Sequence, residues 1–359
     1  MEIVTGYLQS YDWGPTDGLK IWTQSTGGPQ AELWFGSHIN GPSPLRDAEG
    51  SATTELTILT KILAAARPLS IQIHPPAELA AQMFDHQEAD PTVQRLVSDR
   101  YGKAELLIAF EPFIILEGFR DPAETAKAFA QLGGRMETVT GALEEGDLAR
   151  AIKLLLTMSP EDVEAMAPAL PEAFAASGAS EHTVDTSAEV VAAFPGDPGV
   201  FVAALLKART LEPGQAVYVD PGTVHAYVRG LGLEVMTNSD NVLRLGLTSK
   251  TVAVEAALEA LDLTAQPHPF DAEEVEGIIS YAPPGAPFSV EVVRGATCKA
   301  RTGHSRVIVC LEGAVAVGDE TLALGEGALL DAAEPTVEVN VDGVAIIAHH
   351  ANTETSMSA

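Results

Sequence analysis

The stretch Arg67-Pro68-Leu69-Ser70-Ile71-Gln72-Ile73-His74-Pro75-Pro76 alternates apolar and polar side chains. Strand side chains alternate faces, which puts Leu69, Ile71 and Ile73 on one side and Ser70, Gln72 and His74 on the other. One side suits a core and the other a polar space; a solvated sheet also alternates, but usually with Lys, Glu or Thr. Lys103-Ala104-Glu105 sets a cation and a carboxylate on one strand face, and read alone it also fits a solvated edge. Asp220-Pro221-Gly222 is a turn that delivers His225 to the start of a new strand. Beyond a turn expected at Gly230-Leu231-Gly232 lie Glu234 and then Asn241-Val242-Leu243-Arg244, with an ion pair between Glu234 and Arg244 as the bland alternative. Two imidazoles, a carboxylate and an amide on polar strand faces are ligand chemistry for a borderline divalent ion. Two histidines and a carboxylate also suit Fe(II), so an oxygenase stays among the readings at this point.

The elements that must position these groups can be read from texture. From Leu33 to Phe119 short apolar runs such as 69–74, 104–110 and 113–116 have strand length and are bounded by turn residues. Between Leu79 and Arg100 the spacing turns helical, with Leu79, Met83 and Phe84 on one stripe. Residues 122–175 are rich in Ala, Leu, Glu and Met at helical spacing. Ser159-Pro160-Glu161-Asp162 is a helix start, with a capping hydroxyl, a first-turn proline and acids favoured by the dipole. Further helices are expected over 187–194 and 200–207, which makes 121–208 a helical insertion. Strands return with 215–219, a helix is expected over 252–261, and the tail reads as short strands at 289–293, 305–311, 314–317, 336–341 and 344–348. Turns about every ten residues suggest a sandwich or jelly roll. That tail carries His304, His349 and His350 without ligand-like spacing and reads as structural. Asn352–Ala359, small and polar, is expected to fray.

Composition narrows the function. The 359 residues carry 50 acidic and 21 basic side chains, a formal charge of −29, with 46% hydrophobic residues. A globular chain of two or three domains follows. The acidic balance argues against nucleic acid and anionic membrane as partners. Two cysteines, Cys298 and Cys310, cannot build a disulfide framework and read as free thiols in a reducing compartment. The N-terminal residues lack the pattern of a signal peptide, and no run of about 18 apolar residues exists. A cytoplasmic protein is the expectation.

Five segments together carry a more specific likeness: Tyr11-Asp12-Trp13-Gly14, Ala31-Glu32-Leu33-Trp34-Phe35-Gly36-Ser37-His38, Gln72-x-His74-Pro75, Lys103-Ala104-Glu105, and Pro221–Tyr227 through Asn241-Val242-Leu243-Arg244-x-Gly246-Leu247-Thr248-x-Lys250. In order and approximate spacing, the sequence resembles type I mannose-6-phosphate isomerase, of the cupin superfamily. The resemblance implies a mainly β fold of cupin-type jelly-roll barrels with an α-helical insertion. It divides the chain into a catalytic cupin domain (1–120 and 209–262), the insertion (121–208) and a C-terminal jelly roll (263–359). It implies one zinc ion held by Gln72, His74, Glu105 and His225, with a position left open for water or substrate. The implied reaction interconverts mannose 6-phosphate and fructose 6-phosphate through a cis-enediol, in a monomer. Arg244, Lys103 and Glu234 would be catalytic, and Ser70, Lys250 and Trp13 would bind substrate. The family's usual lysine and histidine are replaced by Ala77 and Gly102. Glu78, His86 and Lys103 are candidates to take over the proton transfer; otherwise the chain acts on a related sugar phosphate or only binds one.

Overall fold

The computed structural model describes residues 1–350 apart from 268, 271 and 273, so the expected fraying of Asn352–Ala359 lies outside the described residues. The first part of the chain comprises β1 (Glu2–Thr5), β2 (Tyr7–Gln9), β3 (Glu32–Phe35), β4 (Ile58–Ala65), β5 (Gln72–Ile73), α1 (Ala77–Ala89), β6 (Glu105–Ala109) and β7 (Phe113–Phe119). Helices α2 (Pro122–Ala130), α3 (Glu137–Glu144), α4 (Leu148–Leu156), α5 (Pro160–Met166), α6 (Leu170–Ser177), α7 (Glu181–Ala193) and α8 (Gly199–Ala203) follow. The chain then returns as β8 (Leu206–Leu211), β9 (Ala216–Val219), β10 (His225–Thr237), β11 (Leu243–Arg244) and α9 (Val254–Ala260). The last module comprises β12 (Pro269–Phe270), β13 (Glu274–Val275), β14 (Ile278–Tyr281), β15 (Phe288–Arg294), β16 (Thr297–Ala300), β17 (Arg306–Val317), β18 (Glu320–Leu322), β19 (Glu326–Leu330) and β20 (Val337–His350). Within it β12 pairs back with β9 of the catalytic sheet. No helix among the described residues is long and apolar enough to cross a membrane.

Alternation along the strands decides where the core sits. On β6, Leu107 and Ala109 face the interior of the first barrel with Leu63, Phe113 and Tyr227. Leu106 and Ile108 face the other way, into a cluster shared with Val290, Val307 and Ile346 of the last module. That shared cluster welds the two barrels face to face, as apolar burial requires. On β10 Tyr227 points inward, while Ala226 and Val228 join the core of the helical insertion. β10 pairs with β7 and β5 over its first residues and with β4 and β6 from Gly230 on, so one strand serves both walls of the barrel, and the turn expected at Gly230-Leu231-Gly232 is paired strand instead.

Several expectations are corrected. Leu69 packs into the barrel interior, not beside Ile71 and Ile73, because 66–71 is not strand and regular alternation begins only at β5. The helix expected between 79 and 100 ends at Ala89. The helix expected over 200–207 stops at Ala203, and Leu206 already pairs with Phe119. Runs 305–311 and 314–317 are one strand, as are 336–341 and 344–348. Gly313 and Gly343 sit opposite each other with φ of 70° and 126°, bending the two strands instead of turning them. The first strand, expected with the catalytic domain, pairs with β19 at the edge of the last module's sheet.

Candidate active site

Register brings the polar side chains together. Gln72 lies directly opposite His225 on β10 and opposite Arg244 on β11, and directly opposed residues share a face. His225, Gln72 and Arg244 therefore form a row on three neighbouring strands. His74 follows β5, and its carbonyl accepts the Gly222 N–H at 2.7 Å, which ties the turn before His225 to the segment bearing His74. Glu105 enters from β6 on the same inward face as Leu107 and Ala109. Its two oxygens lie 3.2 Å from His74 Nε2 and 3.2 Å from His225 Nε2. Ligand atoms of these three buried residues all fall within 4.8 Å of one another.

Tautomers follow from the outer contacts. His74 Nδ1 lies 2.7 Å from the Asn241 carbonyl and His225 Nδ1 lies 3.1 Å from that of Thr223. A carbonyl only accepts, so each Nδ1 carries a proton, and in the neutral ring each Nε2 presents a lone pair. Those lone pairs point at a carboxylate, an acceptor facing acceptors. His74 Nε2 is buried and out of line for a hydrogen bond to Glu105 despite the short separation. Burial pushes the His74 imidazole down to about 4, helped by the Lys103 charge, which keeps it neutral. Burial alone would raise the Glu105 carboxyl, but the Lys103 charge overturns this and holds it well below the usual range. Two imidazoles and a carboxylate fit a divalent cation, and the Gln72 amide stands beside them in the row.

Asn241 is a positioning residue that the sequence reading quoted in a motif without giving it a role. Fully buried, its side chain accepts from Ser98 N at 2.7 Å and donates to the carbonyls of Asp99 and Tyr101 at 2.9 Å. The loop that leads to Lys103 and Glu105 is thereby locked to the residue that orients His74.

Beside these groups, reached through Gln72 and Lys103, opens a cleft of about 1430 Å³. Gln72, Ser70, Lys103, Arg244, Lys250 and Trp13 line it, with Trp13 stacked on Tyr11 at 5.6 Å. Arg244 is half-buried, forms no ion pair among the described residues, and its charge lowers the pKa of exposed Lys250, with partial burial adding to the effect. Lys103 Nζ lies 2.7 Å from Glu105. Glu234 pairs with Lys61 at 2.9 Å, not with Arg244; Lys61 also sits 3.8 Å from Glu32 and over the Trp34 ring. Lys61 and Glu32 were missed as cleft residues. The only signal was one lysine, beside Thr60, in the otherwise apolar run 58–65. Asp240, 3.3 Å from His38, is a further carboxylate on the cleft that the sequence reading left out. Glu78 and His86 lie exposed on α1 and do not line the cleft. Ala77 and Gly102 are in contact, a Cβ on Gly102 falling 3.0 Å from Ala77 N.

A β-barrel whose inward faces gather two imidazoles, a carboxylate and an amide beneath an open cleft defines a metal-binding enzyme of the cupin type. Comparison with known proteins gives the particular family. A family model described as phosphomannose isomerase type I, catalytic domain, matches residues 45–122. Mannose-6-phosphate isomerase of Escherichia coli (strain K12) is 30% identical over 300 residues, covering 74% of this chain and 76% of that protein. Mannose-6-phosphate isomerase 1 of Arabidopsis thaliana is 27% identical over 392 residues, covering 94% and 86%. A solved mannose 6-phosphate isomerase from Salmonella typhimurium, bound to its substrate and to a zinc atom, superposes with a TM-score of 0.84 at 26% identity, covering 98% of this chain and 100% of that one. The chain belongs to the type I mannose-6-phosphate isomerase family.

Proposed function

We propose that this chain is a zinc-dependent aldose–ketose isomerase that interconverts mannose 6-phosphate and fructose 6-phosphate through a cis-enediol. The observation that carries the reading is the convergence of two imidazole Nε2 atoms on one buried carboxylate, with each ring's Nδ1 turned to a carbonyl, an arrangement that a bound cation would join. In this reading Gln72, His74, Glu105 and His225 hold one zinc per chain, which when bound supplies Lewis acidity for negative charge on a sugar oxygen. Isomerisation takes a proton from one of C1 and C2 and returns it to the other, while the electron pair passes through the carbonyl oxygen. Arg244 donates to the oxygen that gains charge, in a half-buried position where its own charge is uncompensated. Lys103, buried beside Glu105, carries the exchangeable proton. Glu234, held by Lys61, orients a sugar hydroxyl. Arg244 and Lys250 attract the phosphate with Ser70 at their side, and Trp13 walls the cleft. One chain supplies every group, so a monomer suffices, and free Cys298 and Cys310 suit a cytoplasmic protein.

Metal analysis and a coupled isomerase assay test this. Purified protein is expected to hold one zinc, to lose turnover on chelation and to regain it when zinc is restored. Full turnover in metal-free protein, or the absence of any metal after reconstitution, sinks the proposal. The Ala77–Gly102 contact favours one second reading, an isomerase retuned to a related sugar phosphate, because backbone fills space that longer side chains would use. A panel of aldose phosphates separates the two: fastest turnover of mannose 6-phosphate supports the first, and binding without turnover supports neither isomerase.

A further inference from the structure

The last module's barrel is apolar inside, with Val293, Ile308, Cys310 and Ile347 on its inward faces, until its outermost layer. There the same inward faces become polar. Arg306 precedes Ile308 by two residues, His349 follows Ile347 by two, and Arg306 and His349 are direct register partners. Glu291 precedes Val293 by two and lies opposite Ile347. A polar group aimed into a barrel is costly unless something satisfies it. Arg306 is 1% exposed and donates to the carbonyls of Ala300, Pro335, Asp331 and Glu334 at 2.8–3.1 Å, with no ion pair among the described residues. Its Nε has no partner, nor has the buried Nδ1 of His304, whose ring lies 6.4 Å from that of His349. Above this floor opens a cavity of about 580 Å³, rimmed by Lys299 and Arg301 and sharing no lining residue with the zinc cleft. Ligand sites favour such barrel mouths and such volumes.

We propose that this mouth is a second binding site, separate from the cleft, for a small oxyanion-bearing metabolite, a phosphate ester or a carboxylate. Lys299, Arg301 and the buried Arg306 supply positive charge within a chain of net charge −29, where an anion finds little elsewhere. His304 and His349 offer imidazole N–H groups, and Glu291 accepts a hydroxyl of the same ligand. Burial pushes His349 down to about 4, with His304, Arg301 and Arg306 adding to the effect.

The test follows the imidazole nitrogen resonances of the intact zinc-loaded chain during titration with glycerol 3-phosphate and, separately, malonate. His304 and His349 are expected to shift saturably, while His74 and His225 report any occupation of the cleft independently. Saturation by the phosphate ester alone assigns a phosphate site, and by malonate alone a carboxylate site. The exposed pair Lys299→Ala/Arg301→Ala is expected to weaken that affinity at least about tenfold, because charge-assisted contacts dominate such sites, with isomerase turnover unchanged. No saturable shift at His304 or His349 with either probe, or an affinity equal to wild type in the double variant, overturns the proposal.

Discussion

A neutral imidazole offers a lone pair only while something keeps its proton on the far nitrogen. For His74 that is the Asn241 carbonyl, itself held by a buried side chain bridging residues 98–101. Asn241→Ala is expected to lower zinc affinity by about 10–100-fold, the usual loss when an outer partner of a ligand is removed; chelator competition measures it, and unchanged affinity refutes the role. Arg244→Ala separates chemistry from metal binding. Turnover is expected to fall by about 10²–10³, the scale of removing one donor to developing charge, while zinc content stays at one per chain. Lys61 poses a different problem, since Glu234 and Glu32 are buried with it. Lys61→Met strands two carboxylates, and a loss of about 3–5 kcal/mol in denaturant unfolding is expected from breaking such buried pairs. A loss under about 1 kcal/mol shows that the acids take up protons instead.

One strand carries both a proposed metal ligand and the buried acid paired with Lys61: β10 holds His225 before Gly230 and Glu234 after it. The bend is Gly230, at φ 152°, where a Cβ would lie 2.5 Å from the Phe113 ring. Gly230→Ala is expected to cost at least about 1–3 kcal/mol through strain and overpacking and to weaken zinc binding, because the halves of β10 can no longer serve two walls. Equal stability and zinc affinity in the variant exclude the bend as the device. Position within elements also explains what was legible in the sequence. Gln72 and His74 stood out because period-two alternation is local, and His225 because a Pro-Gly turn precedes it, whereas Glu105 and the set of four as ligands came from the family resemblance. Lys61 did not, because β4 is buried along its whole length and its partner Glu234 lies 173 residues away. The long strands β17 and β20 read as two strands each because glycine in sequence signals a turn, and only the opposing glycine of a neighbour turns that signal into a bend. His304 and His349 are brought together by sheet pairing that no spacing encodes.

At the scale of the whole molecule, the charge of −29 opposes the dianion that the cleft receives. Two ranges compete. The diffuse acidic surface acts over distance, whereas Arg244 and Lys250 act near contact. The Debye length shrinks from about 30 Å at 0.01 M salt to about 8 Å at 0.15 M, so added salt removes the long-range repulsion first. The Michaelis constant for mannose 6-phosphate is therefore expected to fall between those two ionic strengths, with kcat unchanged, and to rise again near 1 M, where the Debye length of about 3 Å reaches contact pairs. Lys250→Ala, exposed at the mouth, is expected to raise the constant most at low salt, where its charge offsets the repelling field unscreened. Steady-state kinetics across a salt series reads both effects. A constant that climbs steadily from the lowest salt upward shows instead that the cleft cations govern the approach and that the acidic surface lies too far from the mouth to matter.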